Sequence, residues 1–594
     1  MSPPDRFPLS SAKWQYDNQI RSSTPPTLGS EGVGSAMSYV PDDPASMDDG
    51  VSSNLAVELV NLFFEKIQPW LPLLHRPRFQ KKYSAKLLAK GNVMKGLTSG
   101  ESLLMYGMFA LSARFSDHSR FEGIPDSDKG NVFAERATDI YIQSHLVQQP
   151  LLLQLQGYLV LAYNQHASGP TTLGRVLVGQ CLQVAYALGL HDIDHPVRAR
   201  HRPAVDHVDR EEMRRAWWLL WELDTFASCA SGKPFLIDRR RMSVMLPISD
   251  EAWFAEREVH SAELILGPGQ SWKCLENSPN QDERAWCLAT VHLMASNLDR
   301  LQQPKALAMD EKLAMQNEIA CFKLALPLSA NLDSEALKLT PTTISRHNWV
   351  IAIHLILMTT SFMVDGVAAF EHGQRGDPKT AMAVAVRKRA ITLGGIIRLW
   401  DPSCIVLALP FLMCGMIPAL AMHEDTDSIQ PLISSTNDMA VLVLKRFRSK
   451  WKLAAIMLEV AQLRKNPDVV NIAKGQLYQR YTIFFRRPRT EKGILKTSSI
   501  EAQTQWPEQT GNNLNASHQA HSQPARDSLG SNPDDIPSST LRPDALGLDW
   551  AGWPNLAVDP LGFPAIQPDL YDLGFDFEPP DQTQNLDSSN LMQV

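Results

Sequence analysis

Apolar residues recur at helical steps along most of the chain. Leu173, Val176, Leu177, Cys181, Val184 and Leu188 return every three or four positions, one face of a 3.6-residue period, and predict a helix over 173–188. Gly189 stands where a left-handed residue would end that helix, with His191 just beyond it. A loop with Pro196 and Pro203 follows, and a charged turn at 209–212 opens a second helix through Met213, Ala216, Trp217, Trp218, Leu220, Trp221, Leu223 and Phe226. Its apolar residues face nearly every side, which places it inside a large domain. Gly232-Lys233-Pro234 then turns the chain, and Pro247 closes the stretch.

The same period recurs on both sides. It predicts helices from about 54 to 67, over 103–115, 131–147 and 151–166, and later over 283–302, 310–326, 342–363, 378–399, 402–423 and 438–463. Residues 248–281 are less regular. No run alternates β-branched with polar residues and no fixed repeat length is visible. The expected fold is therefore all-α, a large multi-helix domain over 54–492. The stretch 404–422 has 19 residues without a charge, long enough for a membrane span. Pro410 and Pro418 interrupt it, so two short core helices are expected there, and no membrane partner.

The ends differ in character. Residues 1–53 are rich in Ser, Pro, Gly and Asp, and 493–540 form a polar stretch without apolar period; the first is expected to be disordered and the second a linker. From 541 to 594 there is one basic residue, Arg542, against nine acidic ones. Trp550, Trp553, Phe563, Tyr571, Phe575 and Phe577 are interleaved with Asp549, Asp559, Asp569, Asp572 and Asp576, and four prolines preclude a long helix. Acids keep such aromatics in water rather than collapsed, as an acidic-hydrophobic activation segment requires.

Composition alters this picture little. The 594 residues carry a net charge of −7, so the whole chain has no bias toward nucleic acid. The seven cysteines are never closer than ten residues apart and sit mostly in apolar runs, as free buried thiols do in a reducing compartment.

The stretch 171–247 resembles the middle regulatory domain of fungal zinc-cluster transcription factors. The residues that carry the resemblance are Gly174-Arg175, Ala187-Leu188-Gly189-Leu190-His191, Glu211/Glu212 with Arg214-Arg215, Trp217-Trp218, Asp224, Gly232-Lys233-Pro234, Ile237-Asp238 and Leu246-Pro247. Weaker matches extend it, including Pro69-Trp70-Leu71-Pro72 running into His75-Arg76-Pro77 and Phe79. The resemblance implies a nuclear transcriptional regulator, an activator or coactivator, controlling a fungal metabolic pathway or biosynthetic gene cluster. Its tail would meet transcription coactivators. The family's six-cysteine module, which holds two zinc ions, has no counterpart here because zinc clusters need closely spaced thiolates. DNA contact is expected through a DNA-binding partner or a zinc-cluster exon outside this sequence. No cofactor is expected otherwise, and homo- or heterodimer formation stays open.

Other constellations carry two readings each. His191-Asp192-Ile193-Asp194-His195 has metal-ligand composition, but it lies between a helix cap and Pro196, and no metal site is expected. Arg175 and Asp224 are charges on apolar helices. A structural ion pair between them is the expectation, with ligand sensing as the alternative. Residues 445–492 hold 13 basic residues against three acidic; Lys445, Arg446, Arg448, Lys450, Lys452, Arg486, Arg487 and Arg489 are candidates for nuclear import, favoured over nonspecific phosphate contact, against a solvated helix face. There is no GxSxG elbow, P-loop, GxGxxG or HExxH sequence, so catalysis is not expected. The competing reading is a cytosolic helical scaffold or small-molecule-binding protein without a transcriptional role.

Overall fold

The computed structural model describes residues 50–465, apart from 90, 145–150, 170, 198–204, 268, 304–306, 333–342, 373–377 and 421–429. Within these residues the fold is all-α. The expected activation segment at 541–594, the expected linker at 493–540, residues 1–49 and Arg486, Arg487 and Arg489 lie outside the described residues; at the end of the segment expected to be disordered, Val51 is buried and Ser52 caps the first helix.

Local chemistry sets where the helices begin. The helix α1 (Ser53–Leu62) starts at Ser52, whose hydroxyl accepts the Leu55 N–H, and widens into a π turn at Phe63–Ile67 before Pro69. The next, α2 (Arg76–Leu87), starts at His75, whose ring nitrogen accepts the Arg78 N–H. Helix α3 (Ser99–Ser112) opens on a reciprocal box in which Thr98 caps Glu101 and the Glu101 carboxylate returns to Thr98. Then come α4 (Asn131–Gln143), α5 (Leu152–Ser168), α6 (Thr172–Ala187) and α7 (His207–Ser231). Two short helices, α8 (Asp250–Phe254) and α9 (Lys273–Glu276), fill the irregular stretch. The second half holds α10 (Glu283–Gln302), α11 (Met309–Ala325), α12 (Ile344–His372), α13 (Pro378–Leu399), α14 (Leu412–Leu420), α15 (Gln430–Arg448) and α16 (Lys452–Lys465).

Helix α5 lies between α3 and α6, and α4 packs on α3; this is the first layer. In the second, α12 is surrounded by α10, α11, α13 and α14. Helix α7 touches α5, α6 and α10, while α16 returns onto α5 and α14, so both layers share one continuous apolar core. The largely apolar middle of α7 suits this position, since it has neighbours on every side.

As the proline-interrupted apolar stretch predicts, 402–420 forms two short helical pieces, Ile405–Leu407 and α14, with Pro410 at the break. Among the described residues one helix is long and apolar enough to cross a membrane, Ile344–Asp365 within α12, and most of it is buried within the protein. The expected helix over 438–463 is two helices, parted at Ser449-Lys450-Trp451. The break turns Trp451 fully into the core, where its indole N–H donates to the Val406 carbonyl at 3.2 Å and its ring lies 4.1 Å from the Arg114 guanidinium.

Candidate functional site

The Glu-x-x-Arg-Arg-x-Trp-Trp pattern at the start of α7 works because four residues make about one helical turn. Glu211 and Arg215, one turn apart, form a buried pair at 3.0 Å. Arg214 points another way and grips Asp194 through two bonds of 2.8 and 2.6 Å. Asp194 also accepts the Met245 N–H at 2.8 Å. Arg215 continues to Asp250 at 2.5 Å and to the Ile248 carbonyl at 2.6 Å, with its guanidinium 4.0 Å from the centre of the Trp253 ring. The adjacent arginines therefore fasten two different loops, 191–195 and 245–250, to one helix. Burial, only partly offset by Arg215 and Arg214, holds the Glu211 carboxyl above its usual range.

The two tryptophans divide in the same way. Trp217 is fully buried and meets Tyr186 and His191, with ring centres 6.0 and 6.3 Å away, at the end of α6. Trp218 donates its indole N–H to the Met245 carbonyl at 2.7 Å. Trp221 and Phe226, further along the helix, have other aromatic neighbours. Trp221 approaches His292 of α10 and Arg239; Phe226 approaches Phe411. A helix surrounded on all sides distributes its large residues among several neighbours.

Gly189 and Gly232 follow the two helices with φ of 65° and 64°, a left-handed turn in which a Cβ would be strained. Gly174 is needed for space: a Cβ there would meet the His166 ring at 3.0 Å. The Pro234 carbonyl accepts the Ser228 hydroxyl at 3.2 Å, tying the return to α7.

The Arg175–Asp224 pair is not formed. Asp224 is buried and accepts the backbone N–H groups of Leu236, at 3.1 Å, and Ile237, at 3.2 Å. Its cationic neighbour is Arg239 at 3.6 Å, whose guanidinium lies against Trp221 and Phe235. The carboxylate fastens the return strand of chain after the Gly232 turn, and so is spent within 15 residues of itself. Arg175 lies in the first turn of α6 and lines a cavity instead. Within 191–195, Asp194 is held by Arg214, and among the described residues no cluster of three metal-ligating side chains is found.

One buried pair had gone unseen. Arg284 of α10 reaches Glu222 of α7 through two bonds of 2.7 and 2.8 Å, and the Tyr163 hydroxyl of α5 donates to the Leu219 carbonyl beside it at 2.9 Å. The signal was present: Glu222 has only Trp218, Leu219, Thr225 and Phe226 at its helical neighbours, so its cation had to come from a distant segment.

The basic run splits. Lys445, Arg446 and Arg448 are exposed on the last turn of α15. Lys450 instead reaches Asp126 at 2.6 Å and the Arg114 carbonyl at 2.9 Å, and Lys452 reaches Asp128 at 2.5 Å. Two of the five described candidates thus bind the first layer to the second.

Comparison with known proteins agrees with the motif. Residues 60–281 match the profile described as the fungal specific transcription factor domain. The chain is 24% identical over 345 residues to the Zn(2)-C6 fungal-type transcription factor FTF1c of Fusarium oxysporum f. sp. lycopersici, a match covering 55% of this chain and 35% of that protein. It is 33% identical over 153 residues to the agnestins biosynthesis cluster transcription factor AgnL11 of Paecilomyces divaricatus, covering 24% and 22%. It is 27% identical over 213 residues to the ascochitine biosynthesis cluster transcriptional regulator of Didymella fabae, covering 35% and 34%. The matched regions thus span about a third or less of these relatives' lengths.

Proposed function

We propose that this chain, which carries a fungal specific transcription factor domain at 60–281, is a nuclear transcriptional regulator of a fungal metabolic pathway or biosynthetic gene cluster. The observation that carries the reading is the agreement of that domain match with the arginine-anchored motif of α7. The relatives named as cluster regulators support the pathway part. Regulation rather than catalysis fits the same names.

Three parts have separate roles in this reading. The domain expected over 54–492 is the platform for the other two. The exposed Lys445, Arg446 and Arg448, together with Arg486, Arg487 and Arg489, serve nuclear import. The acidic aromatic segment at 541–594, joined through the linker at 493–540, recruits coactivators. DNA is reached through a DNA-binding partner, or through a zinc cluster outside this sequence.

The test is to fuse the full chain to an unrelated DNA-binding domain and read a reporter gene in a fungal host, following the same fusion by fluorescence. Nuclear accumulation with reporter activation is expected. A cytosolic, inactive fusion would favour the scaffold reading.

A further inference from the structure

We propose that the cavity between α6 and the C-terminal end of α7 binds a compact apolar molecule bearing a single carboxylate. The cavity is about 300 Å³, at the lower end of the range for small-molecule sites. Its apolar wall includes Leu223, Phe226, Ala230, Phe411 and Leu453. A smaller void of about 40 Å³ shares Phe226, Ala230, Phe411 and Cys414 and extends the apolar surface toward α12.

The charged groups that line the cavity are cationic. Arg175 and Lys233 both line the cavity, and among the described lining residues there is no Asp or Glu. The acid that could have neutralised Arg175, Asp224, is occupied by Arg239 and two backbone amides. Among the described residues no ion pair or side-chain hydrogen bond engages Arg175 or Lys233. Both belong to segments fixed by packing: Arg175 to the first turn of α6 and Lys233 to the residue after the Gly232 cap. The positive end of the α6 dipole also borders the cavity, at Thr171 and Thr172.

His166 also lines the cavity. Its Nδ1 donates to the Ala162 carbonyl at 2.9 Å, and burial, with Arg175 nearby, holds its pKa below the usual value. The ring is neutral, so it adds no charge that would substitute for Arg175.

An arginine beside apolar surface without an anion is poorly compensated, and a carboxylate supplies both the charge and a two-pronged hydrogen-bond acceptor. A neutral apolar molecule would fill the wall but leave the cation unmatched. A highly charged one would desolvate groups for which the cavity offers no partner. Occupancy would bridge α5, α6, α7, α14 and α16, and so stabilise the contact between the two layers. This site does not depend on the transcriptional reading, because binding is measured on the purified chain.

The experiment compares octanoate with 1-octanol, by calorimetric titration and thermal melting, on the full chain and on Arg175→Gln and Ala230→Trp. Octanoate should bind more tightly than octanol and raise the melting temperature. Arg175→Gln, a change on a partly exposed residue, should weaken octanoate about tenfold while leaving octanol unchanged. Ala230→Trp should block both. Equal binding of acid and alcohol to the wild type, an Arg175→Gln chain that binds octanoate normally, or no binding of octanoate at all would overturn the proposal. Should Ala230→Trp not fold, the contrast between acid and alcohol in Arg175→Gln decides alone.

Discussion

Glu222 of α7 and Arg284 of α10 face each other in a two-bond pair of 2.7 and 2.8 Å, with 0% and 6% of their side chains exposed. The pair joins the central helix to the second layer at a point where neither charge can reach water. Removing one partner leaves the other buried and uncompensated, which typically costs about 3–5 kcal/mol. Glu222→Gln and Arg284→Met should each destabilise the domain by about that much in urea unfolding. The double change Glu222→Leu with Arg284→Met should cost clearly less than the sum of the two, since no orphan charge remains. Additive losses would show that the two side chains act independently.

His292 should make part of the domain's stability sensitive to acid. Burial, with Arg239 nearby, lowers the pKa of His292 to about 4 from an ordinary value of about 6.5. The folded state then binds fewer protons than the unfolded state between these limits. The contribution is present above pH 6.5 and is lost as pH falls toward 4, on the order of 3 kcal/mol across the window. His75, His166 and His347 are lowered in the same sense by burial. In His292→Gln the dependence of stability on pH between 6.5 and 4 should flatten. A variant with the wild-type slope would assign the acid sensitivity to other groups.

The divided basic run gives a separable outcome. Lys445→Ala with Arg446→Ala and Arg448→Ala should leave the melting temperature nearly unchanged, because exposed charges contribute little to stability, and should lower nuclear accumulation. Lys450→Met removes a partner of Asp126 and of the Arg114 carbonyl, and should lower stability without a comparable effect on import. Loss of import in Lys450→Met at unchanged stability would reverse this assignment.

The tail can be tested away from the domain. Residues 541–594 fused to an unrelated DNA-binding domain should activate a reporter. Changing Trp550, Trp553, Tyr571, Phe575 and Phe577 to Ala, with every Asp kept, should abolish that activity, because coactivator grooves take aromatic anchors. Changing the Asp residues to Asn should weaken it and promote aggregation. Undiminished activation by the aromatic-free tail would mean that charge alone is read.

What the sequence determined by itself is local. The 3.6-residue period of α6 and α7, the left-handed ends at Gly189 and Gly232 and the Thr98–Glu101 box rest on neighbours within one turn of chain, and all were open to reading from order alone or follow from it. The burial of Trp217 and Trp218 follows in the same way from the apolar middle of α7.

Tertiary structure alone decided the partners. Arg214 and Arg215 are adjacent in sequence, yet one is fixed by Asp194 and the other by Asp250. Asp224 was expected to meet Arg175, and meets Arg239 instead. The helix expected over 438–463 is parted so that Trp451 can enter the core, a gain that periodicity within that segment does not reveal. The physical reason is common to these cases. A charge or an indole on a helix surrounded by others is stabilised by whichever segment brings the complementary group within bonding distance, and that distance is set by how all the helices pack together. The cavity beside Arg175 is of the same kind, being space left between three separate stretches of the chain, 166–175, 223–233 and 411–453.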